Sequence, residues 1–341
     1  MKISVVVPAY NAAKAIAQTL DALLAQREPP YEIVVVDDGS KDQTREVLEG
    51  YRERVRLVFQ PNSGVSAARN RGVAETTGDW VAFCDADDLW HPEKMRVMTA
   101  VLGSRTDMDL VFHEFWTLVD GVVAEPRATH SPHTMFPLFR EFDISLPRIL
   151  PDRRAVTTGV AEFPVVDTWH GSGFRWLMLG NFLMPSTVLV RRAAFDEAGG
   201  FDANFRYAED TEFFLRFGRS RALLWVDCAL TGYRREAGTL LTGNMYATVR
   251  NATRAVEKHC VDDLEVYNGP DRAWVRRAVA RRFTRFAYYC LSELNRDDAR
   301  EYARKALRHR PSDWRALGIF LSSWAPSGAL AAVRRVKTRA R

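Results

Sequence analysis

Four apolar runs recur about every 25 residues in the first part of the chain. They are rich in β-branched and aromatic residues and read ISVVV (3–7), EIVVVD (32–37), VRLVF (55–59) and WVAFC (80–84). Near-continuous apolar runs predict strands covered on both faces, and their spacing is that of βαβ units. The sequence therefore predicts an α/β protein with a doubly wound, mostly parallel sheet, in which ligands bind outside the carboxyl ends of the strands.

Helical patterns separate these predicted strands, at 12–24, 40–51 and 65–76. Asn11 is the predicted N-cap of the first helix, and Ser40 and Gln43 form a predicted capping box in the second. After a less regular stretch, further strands are predicted at 109–116 and 182–190, and helices at 191–199 and 209–218. From about residue 246 all patterns are helical, and the last two predicted helices resemble a tetratricopeptide hairpin without a repeating period.

The composition is that of a soluble globular protein, with 47% apolar residues, 27% charged residues and a net charge of +5. Four cysteines stand far apart without zinc or CxxC spacing, which favours reduced thiols in a cytosolic protein. The apolar run at the N-terminus is too short for the h-region of a signal peptide.

The end of the chain complicates this interpretation. No charged residue occurs at 316–333, but Pro326, Gly328 and three serines interrupt a segment that only reaches the lower length limit of a membrane span. We predict two short helical pieces broken at Pro326, either packed on the protein or in contact with a membrane. The final AVRRVKTRAR has five basic residues and no acidic one, which predicts anionic lipid or nucleic acid as its partner.

Two acidic clusters follow predicted strands: Asp37 and Asp38, and then Asp85, Asp87 and Asp88. Both clusters should open into one crevice at the carboxyl ends of the strands. No GxGxxG or Walker sequence accompanies them, which argues against a dinucleotide site or a P-loop. Like charges this close favour a hard divalent cation, Mg²⁺ or Mn²⁺, which arrives with a nucleotide diphosphate. The alternative is that both clusters are turn and helix-capping residues.

Four motifs in order give a resemblance to a known family. ISVVVPAYNAAKAIAQTLDALLAQ, EIVVVDDGSKDQT, NSGVSAARNRGVAETTGDWVAFCDADD and GGFDANFRYAEDTEFFLRF together resemble a bacterial-type family 2 glycosyltransferase of the GT-A fold, over about residues 1–218. The resemblance implies inverting transfer of a sugar from a nucleotide-diphosphate donor, with a UDP-sugar favoured and a divalent metal assisting. It also implies a GT-A domain at 1–245, with a nucleotide-binding half at 1–104 and an acceptor half at 105–245, followed by a helical region with a basic tail at 246–341.

The resemblance assigns roles to individual residues. It places the nucleotide of the donor against Pro8, Ala9, Tyr10, Asp37, Asp38, Arg69 and Asp85. Asp87 is the implied metal ligand, and Asp85 points toward the ribose or the waters of the metal. Asp210 matches the base that takes the proton of the acceptor hydroxyl. Glu209 is either a second catalytic carboxylate or a structural residue at the start of a helix, and the sequence leaves both open.

The sequence departs from the family pattern after the predicted base. Many relatives carry a histidine where this chain has Glu236, so Arg234 or Arg235 is assigned to the diphosphate, with a solvated basic pair as the alternative. No QxxRW motif occurs, which favours addition of a single sugar over polymer synthesis. Trp169, His170 and Trp176 are the candidate acceptor residues, because aromatic faces stack on sugar rings; the alternative is core aromatics and a surface histidine.

The predicted function is metal-dependent transfer of one sugar to a glycan or lipid-linked acceptor in surface polysaccharide synthesis. Transfer to a polyprenyl phosphate, or a degenerate nucleotide- or carbohydrate-binding module, are the alternatives. No nucleic-acid recognition motif is present, so nucleic acid is not an expected partner. The predicted location is cytoplasmic, with peripheral attachment to the inner face of the cell membrane through the tail left open.

Overall fold

The computed structural model of the chain describes residues 1–127, 145–235 and 244–325. The chain divides into two compact units, Met1–Gly243 and Asn244–Arg341. The four cysteines all lie in the described ranges, and each is a buried thiol.

Within the described residues of the first unit, eleven strands form one sheet. The strands are β1 (Ile3–Ala9), β2 (Glu32–Asp37), β3 (Arg56–Phe59), β4 (Trp80–Phe83), β5 (Leu89–Trp90), β6 (Leu110–Val119), β7 (Val122–Glu125), β8 (Asp152–Thr157), β9 (Val165–Gly171), β10 (Val188–Arg191) and β11 (Leu223–Arg235). Their order across the sheet is β3-β2-β1-β4-β10-β6-β11-β9-β8, while β5 pairs with β11 and β7 with β6.

The first half of this sheet is parallel, as the sequence predicts. β1 lies between β2 and β4 and runs parallel to both, and every residue of β1 is buried. Ala9 at the end of β1 lies opposite Asp37 at the end of β2. The carboxyl ends of the central strands therefore meet at one edge of the sheet, where the acidic residues follow them.

Helices cover this sheet within the first unit. They are α1 (Ile16–Leu24), α2 (Thr44–Glu49), α3 (Val65–Glu75), α4 (Lys94–Ser104), α5 (Leu146–Ile149), α6 (Phe174–Leu177), α7 (Arg192–Glu197) and α8 (Glu209–Gly218). The helix predicted at 12–24 is confirmed as α1, and Ile16, Leu20 and Leu23 on one face of it are fully buried, while Leu24 is partly buried.

The predicted caps of α1 and α2 are wrong. Asn11 lies five residues before α1, adopts a left-handed φ of 50° and accepts a hydrogen bond from the backbone N–H of Lys41 (2.8 Å). Ser40 makes its side-chain contact with Asp37 and receives the backbone N–H of Asn11 (2.9 Å) instead of capping α2. Both side chains connect the loops after β1 and β2, so tertiary contacts replace the local capping that the sequence favours.

The second half of the sheet is largely antiparallel and differs most from the predicted elements. Pro185–Thr187 forms a 3₁₀ turn, and β10 begins only at Val188, so the strand predicted at 182–190 is half wrong. A proline has no N–H for a sheet ladder, which explains the late start. β7 and most of β8 are exposed and therefore lack the apolar run that reveals a buried strand.

The second unit is helical over its described residues, as predicted. Its elements are α9 (Met245–Val256), a π-helical segment (Glu257–Val261), α10 (Leu264–Asn268), α11 (Arg272–Ser292), α12 (Arg296–His309) and α13 (Trp314–Ser322). Phe286 of α11 packs edge-on against Tyr302 of α12, with ring centroids 4.6 Å apart. Pro326 lies outside the described residues. None of the helices described here has both the length and the apolar character that crossing a membrane requires.

Candidate active site

Two neighbouring cavities lie at the carboxyl ends of the parallel strands, and both are lined by Pro8 and Tyr10. The larger cavity, of about 630 Å³, also contacts Arg69, Asp85, Asp87, Arg234 and Arg235. The smaller one, of about 460 Å³, also contacts Ala9, Asp38, Asn62, Arg206 and Tyr207. Most of the side chains that the sequence assigned to the nucleotide, the metal and the diphosphate therefore lie around one connected region.

Asp38 fixes the loop that forms one wall of the smaller cavity. Its Oδ1 accepts hydrogen bonds from the Gln60 amide (2.7 Å) and the Ser63 backbone N–H (2.8 Å), and its Oδ2 accepts one from the backbone N–H of Gly64 (2.8 Å). Gly64 immediately precedes α3 and has a φ of 90°, a left-handed conformation that glycine adopts without steric cost. The Asp38 carboxylate therefore stabilises the turn that leads into α3. Asp37 is buried beside it and lines neither cavity.

Arg69 joins three parts of the chain at the floor of the larger cavity. It projects from α3, is almost fully buried, and donates one hydrogen bond to Glu209 Oε1 (2.8 Å) and one to Asp85 Oδ1 (2.7 Å). Burial by itself would lower the pKa of Arg69, but the charges of Asp85 and Glu209 outweigh it and hold the pKa above its usual range. The guanidinium therefore fixes the distance between the acidic turn after β4 and the start of α8.

The acidic turn after β4 brings three carboxylates together. Its backbone is fixed because Asp88 N–H donates to Asp85 O (3.1 Å) and Asp85 N–H donates to Ser186 Oγ (2.9 Å). Asp87 opens to solvent at the cavity, yet much of its surroundings is protein. This partial burial, together with the charge of Asp85, raises the pKa of Asp87 to about 6.

Asp88 is fully buried, and neither of its oxygens has a hydrogen-bond partner among the described residues. Burial, and then the charges of Asp85 and Asp87, raise the pKa of Asp88 well above its usual range. The Ser186 side chain and the Arg234 backbone lie close enough to lower it slightly. A cation bound at this turn would reduce the repulsion between its carboxylates.

The chemistry of this donor set fits an open divalent-cation site. Asp85 and Asp87 both face the larger cavity and supply the hard oxygen ligands that Mg²⁺ and Mn²⁺ prefer. Among the residues that the structure describes, no three metal-binding side chains are grouped as a closed site. The remaining ligands would then come from water and from the phosphates of a nucleotide.

Asp210, the predicted base, lies on the first turn of α8 and is half-buried. Asn181 donates its side-chain N–H to Asp210 Oδ2 (2.9 Å), and the backbone N–H of Thr211 donates to Oδ1 (2.6 Å). Burial first, and then the charge of Glu209, raise the pKa of Asp210 to about 7. A carboxyl group with that pKa is a stronger base than an ordinary aspartate and is still partly ionised at neutral pH.

Ala208 turns the backbone into α8 just before these carboxylates. It is a non-glycine residue with a left-handed φ of 56°, and it is buried. Such a conformation costs about 1–2 kcal/mol for a residue with a Cβ, and it persists only where surrounding contacts impose it. Here Glu209, on the next position, is held by Arg69.

The two arginines at the end of β11 both line the larger cavity. Arg234 donates to the Gln18 side chain (2.9 Å) and lies close enough to Asp87 to lower its pKa slightly. The buried Nε of Arg235 has no hydrogen-bond partner in the described part of the chain. A guanidinium with a spare donor beside a cavity is suited to an anion. Glu236, which stands at the family's histidine position, lies outside the described residues.

The candidate acceptor residues lie away from the two cavities, on β9 and on α6. Trp169 on β9 stacks on Trp225, with ring centroids 6.5 Å apart, and His170 contacts Asp152 (3.4 Å). Neither residue lines the two cavities, and nor does the half-buried Trp176. Their role in acceptor binding stays a prediction.

Two residues that support the acidic turn, Lys94 and Ser186, were not predicted from the sequence. Lys94 is fully buried and donates to the backbone carbonyl of Ser186 (2.8 Å), whose hydroxyl in turn receives Asp85 N–H. The Lys94 ammonium also lies 3.5 Å from the Trp90 ring centroid. A lysine at the start of an ordinary helix carries no local signal of burial, so this support becomes visible only in three dimensions.

A sheet with a parallel first half, whose strand ends gather carboxylates and arginines around two neighbouring cavities, fits the GT-A fold. The fold is confirmed by comparison with Staphylococcus aureus TarS 1–349, which matches with a TM-score of 0.62 at 19% identity over 100% of this chain and 92% of that one. The complex of TarS 1–349 with UDP-GlcNAc matches with a TM-score of 0.62 at 20% identity, over 95% of this chain and 89% of that one.

Residues 4–144 match the family described as glycosyl transferase family 2. An uncharacterized glycosyltransferase of Nostoc, alr2836, is 39% identical over 36% of this chain and 38% of its own length. The putative teichuronic acid biosynthesis glycosyltransferase TuaG of Bacillus subtilis is 40% identical over 27% of this chain and 38% of its own length. The chain thus spans well under two thirds of these relatives.

The first prediction concerns the buried arginine. Arg69→Met should lower the free energy of unfolding by about 3–5 kcal/mol, because it leaves Asp85 and Glu209 close together without their shared cation. Arg71→Met is the matched control, since Arg71 lies on the same helix, pairs with Glu75 and is exposed, and its loss should cost under about 1 kcal/mol. Urea unfolding at neutral pH measures both, and equal effects would contradict a central role for Arg69.

Proposed function

We propose that the protein is an inverting, metal-dependent glycosyltransferase that adds a single sugar to an acceptor used in surface polysaccharide synthesis. The donor is a nucleotide-diphosphate sugar, with a UDP-sugar favoured, and the acceptor is a glycan or a lipid-linked glycan. One observation carries the proposal: Arg69 connects Asp85, on the donor side, directly to Glu209, which precedes the predicted base Asp210. The family match and the name of TuaG support the reaction class.

The smaller cavity would hold the nucleoside of the donor. Tyr10, which is 46% exposed, and Tyr207, which is 37% exposed, both line it and offer flat apolar faces to a base. Asp38 lies at the same cavity, and its carboxylate could accept one further hydrogen bond from a base N–H. The UDP-GlcNAc complex of TarS, a protein of the same fold, supports a uridine nucleotide here.

The larger cavity would hold the diphosphate and the sugar. Asp87, with Asp85, would hold Mn²⁺ or Mg²⁺, which stabilises the negative charge of the leaving diphosphate when it is bound. Arg234 and Arg235, which both line this cavity, would bind the phosphate oxygens. With the leaving group stabilised in this way, the protein needs no separate acid.

Asp210 would accept the proton of the acceptor hydroxyl while that oxygen attacks the anomeric carbon of the sugar. Attack from the face opposite the diphosphate inverts the configuration at that carbon. The hydrogen bonds from Asn181 and Thr211 hold the Asp210 carboxylate in a single orientation for this step. Glu209 is bound to Arg69, so we assign it a positioning role.

The experiment that tests this proposal measures release of nucleoside diphosphate from a panel of nucleotide sugars, with and without Mn²⁺ or Mg²⁺. Thermal stabilisation by each nucleotide identifies binding independently of turnover, since a ligand that binds only the folded state raises the melting temperature. Metal-dependent stabilisation by at least one nucleoside diphosphate is expected. Its absence for every nucleotide would contradict the donor site.

Replacement of the metal ligand gives the next prediction. Asp87→Ala should abolish transfer and remove the Mn²⁺ dependence of nucleoside-diphosphate binding, while the melting temperature of the ligand-free protein stays the same or rises because one repelling carboxylate is gone. Calorimetric titration of the nucleoside diphosphate into each protein, first with Mn²⁺ present and then with EDTA, measures this dependence. Glu53→Ala, which removes an exposed carboxylate that lines neither cavity, serves as the control. Unchanged metal dependence in Asp87→Ala would rule out this ligand.

Replacement of the base separates catalysis from stability. Asp210→Asn cannot accept the proton, so kcat should fall by about 10²–10⁴-fold while the affinity for the donor changes little. Because burial and Glu209 disfavour the charged form of Asp210, the same variant should melt at a higher temperature than wild type at pH 8. Steady-state kinetics and thermal unfolding test both effects. A near-normal kcat would exclude Asp210 as the base.

The raised pKa of Asp210 predicts a pH profile. In the wild type kcat/KM should rise with pH and level off above about 7, since only the ionised carboxylate accepts a proton. Glu209→Gln should move this acidic limb to lower pH, because it removes a negative neighbour and leaves the Arg69 charge less compensated. Measurement of kcat/KM against pH for the wild type and for Glu209→Gln, with saturating Mn²⁺, tests this. A limb that stays in place in Glu209→Gln would contradict the assigned cause of the shift.

A further inference from the structure

The last described helix of the second unit presents large apolar side chains to solvent. Trp314, Leu317, Leu321 and Trp324 are 74%, 47%, 61% and 65% exposed, respectively. Their spacing of three, four and three residues places them on one face of α13 and the turn that follows it. We refer to these four residues as the Trp314–Trp324 stripe.

The inward face of the same helix is made of smaller residues. Ala316 is fully buried and Ile319 is 8% exposed, while Asp313 caps the helix and accepts a hydrogen bond from Thr284 of α11 (3.1 Å). A helix that only serves to complete a core buries its largest apolar groups. Here the two tryptophans and two leucines contribute little to packing within the unit, and a contiguous exposed apolar patch of this kind marks a contact with something else.

The charge of this part of the chain indicates what that contact is. Residues 244–341 hold 21 lysines and arginines against 10 acidic residues, whereas residues 1–243 hold 27 against 33. Two arginines flank the stripe: the Arg300 guanidinium lies 3.8 Å from the Trp324 ring centroid, and that of Arg315 lies 5.3 Å from the Trp314 ring centroid. Tryptophan beside arginine on a basic helical surface suits the boundary between anionic headgroups and acyl chains.

We propose that the Trp314–Trp324 stripe docks on the surface of an anionic lipid bilayer, with its four apolar side chains inserted at the headgroup boundary and the surrounding basic residues facing the lipid phosphates. A second copy of the chain is a poorer occupant, because residues 244–341 carry a net charge of +11 (21 basic against 10 acidic residues) and association through this face would bring two such units together. An anionic glycan would satisfy the charge but would leave Leu317 and Leu321 without a contact.

This surface overlaps the segment for which the sequence analysis left membrane contact open. The uncharged segment 316–333 contains Leu317, Leu321 and Trp324, and the structure adds Trp314 to them and shows that all four side chains are exposed. The basic residues that follow this segment, Arg334, Arg335, Lys337, Arg339 and Arg341, lie outside the described residues. The inference does not depend on the proposed function, although an enzyme that uses a lipid-linked acceptor would meet that acceptor at such a surface.

The test uses the full chain and a variant in which all four stripe residues are replaced by serine. The control variant is Val122→Ser with Val123→Ser, which removes two exposed apolar side chains from the first unit. Each protein is sedimented with vesicles of phosphatidylcholine alone and of phosphatidylcholine mixed with phosphatidylglycerol, at low and high salt. Circular dichroism and the affinity for a nucleoside diphosphate in solution verify that every variant is folded.

Wild type and the control variant should bind the phosphatidylglycerol vesicles, more weakly at high salt, and should bind pure phosphatidylcholine poorly. The stripe variant should bind the anionic vesicles at least about tenfold more weakly. Equal binding by wild type and the stripe variant, or no binding by either, would overturn the proposal. So would conversion of a stable oligomer to a monomer in the stripe variant, or binding of a soluble polyanion that depends on the stripe.

A second measurement reports insertion itself. Lipids brominated along the acyl chain should quench part of the tryptophan fluorescence of the wild-type protein on anionic vesicles. Trp314→Phe with Trp324→Phe should keep vesicle binding within about threefold, since phenylalanine also partitions into the interface, but should lose most of that quenching. Unchanged quenching in this double variant would show that other tryptophans touch the bilayer and would contradict the proposed face.

Discussion

The geometry of the candidate site depends on one buried guanidinium. Arg69 is linked to Asp85 and Glu209, which come from the turn after β4 and from the start of α8. These carboxylates are 124 positions apart in the chain, so no local pattern could hold them together. Without the arginine they would repel each other in a poorly hydrated environment, and with it they fix the distance between the acidic turn after β4 and the predicted base.

The carboxylates around this ion pair are kept in unfavourable surroundings. Burial and mutual repulsion raise the pKa of Asp87, Asp88 and Asp210, so each of these groups destabilises the fold when it is ionised. The rest of the first unit compensates with a closely packed sheet in which β1, β2 and β4 are almost entirely buried. This is the usual division between a scaffold that supplies stability and a site that consumes some of it.

Much of the first unit could be predicted from the sequence, because continuously apolar strands and acidic residues at their ends are local signals. The predicted strands β1 to β4 and the grouping of Asp85, Asp87 and Arg69 at one cavity depend on such signals and on the family motifs. The predictions for Asn11, Ser40 and residues 182–190 failed where a side chain bonds to a distant loop or where Pro185 interrupts a strand. The burial of Lys94 could not be predicted, because it depends on which neighbours the fold supplies. For the same reason the sequence left open whether the apolar residues of 316–333 pack on the protein or are exposed.

The left-handed Ala208 has a consequence for how α8 begins. Glycine at this position would remove the steric cost, but it would also let the backbone visit many other conformations in the unbound protein. Alanine restricts that freedom, so less conformational entropy is lost when the first turn of α8 becomes ordered. The hydrogen bonds to Glu209 and Asp210 then act on a backbone with few alternative conformations. Ala208 thus exchanges a small steric penalty for a rigid approach to the predicted base, a form of preorganisation encoded in a single methyl group.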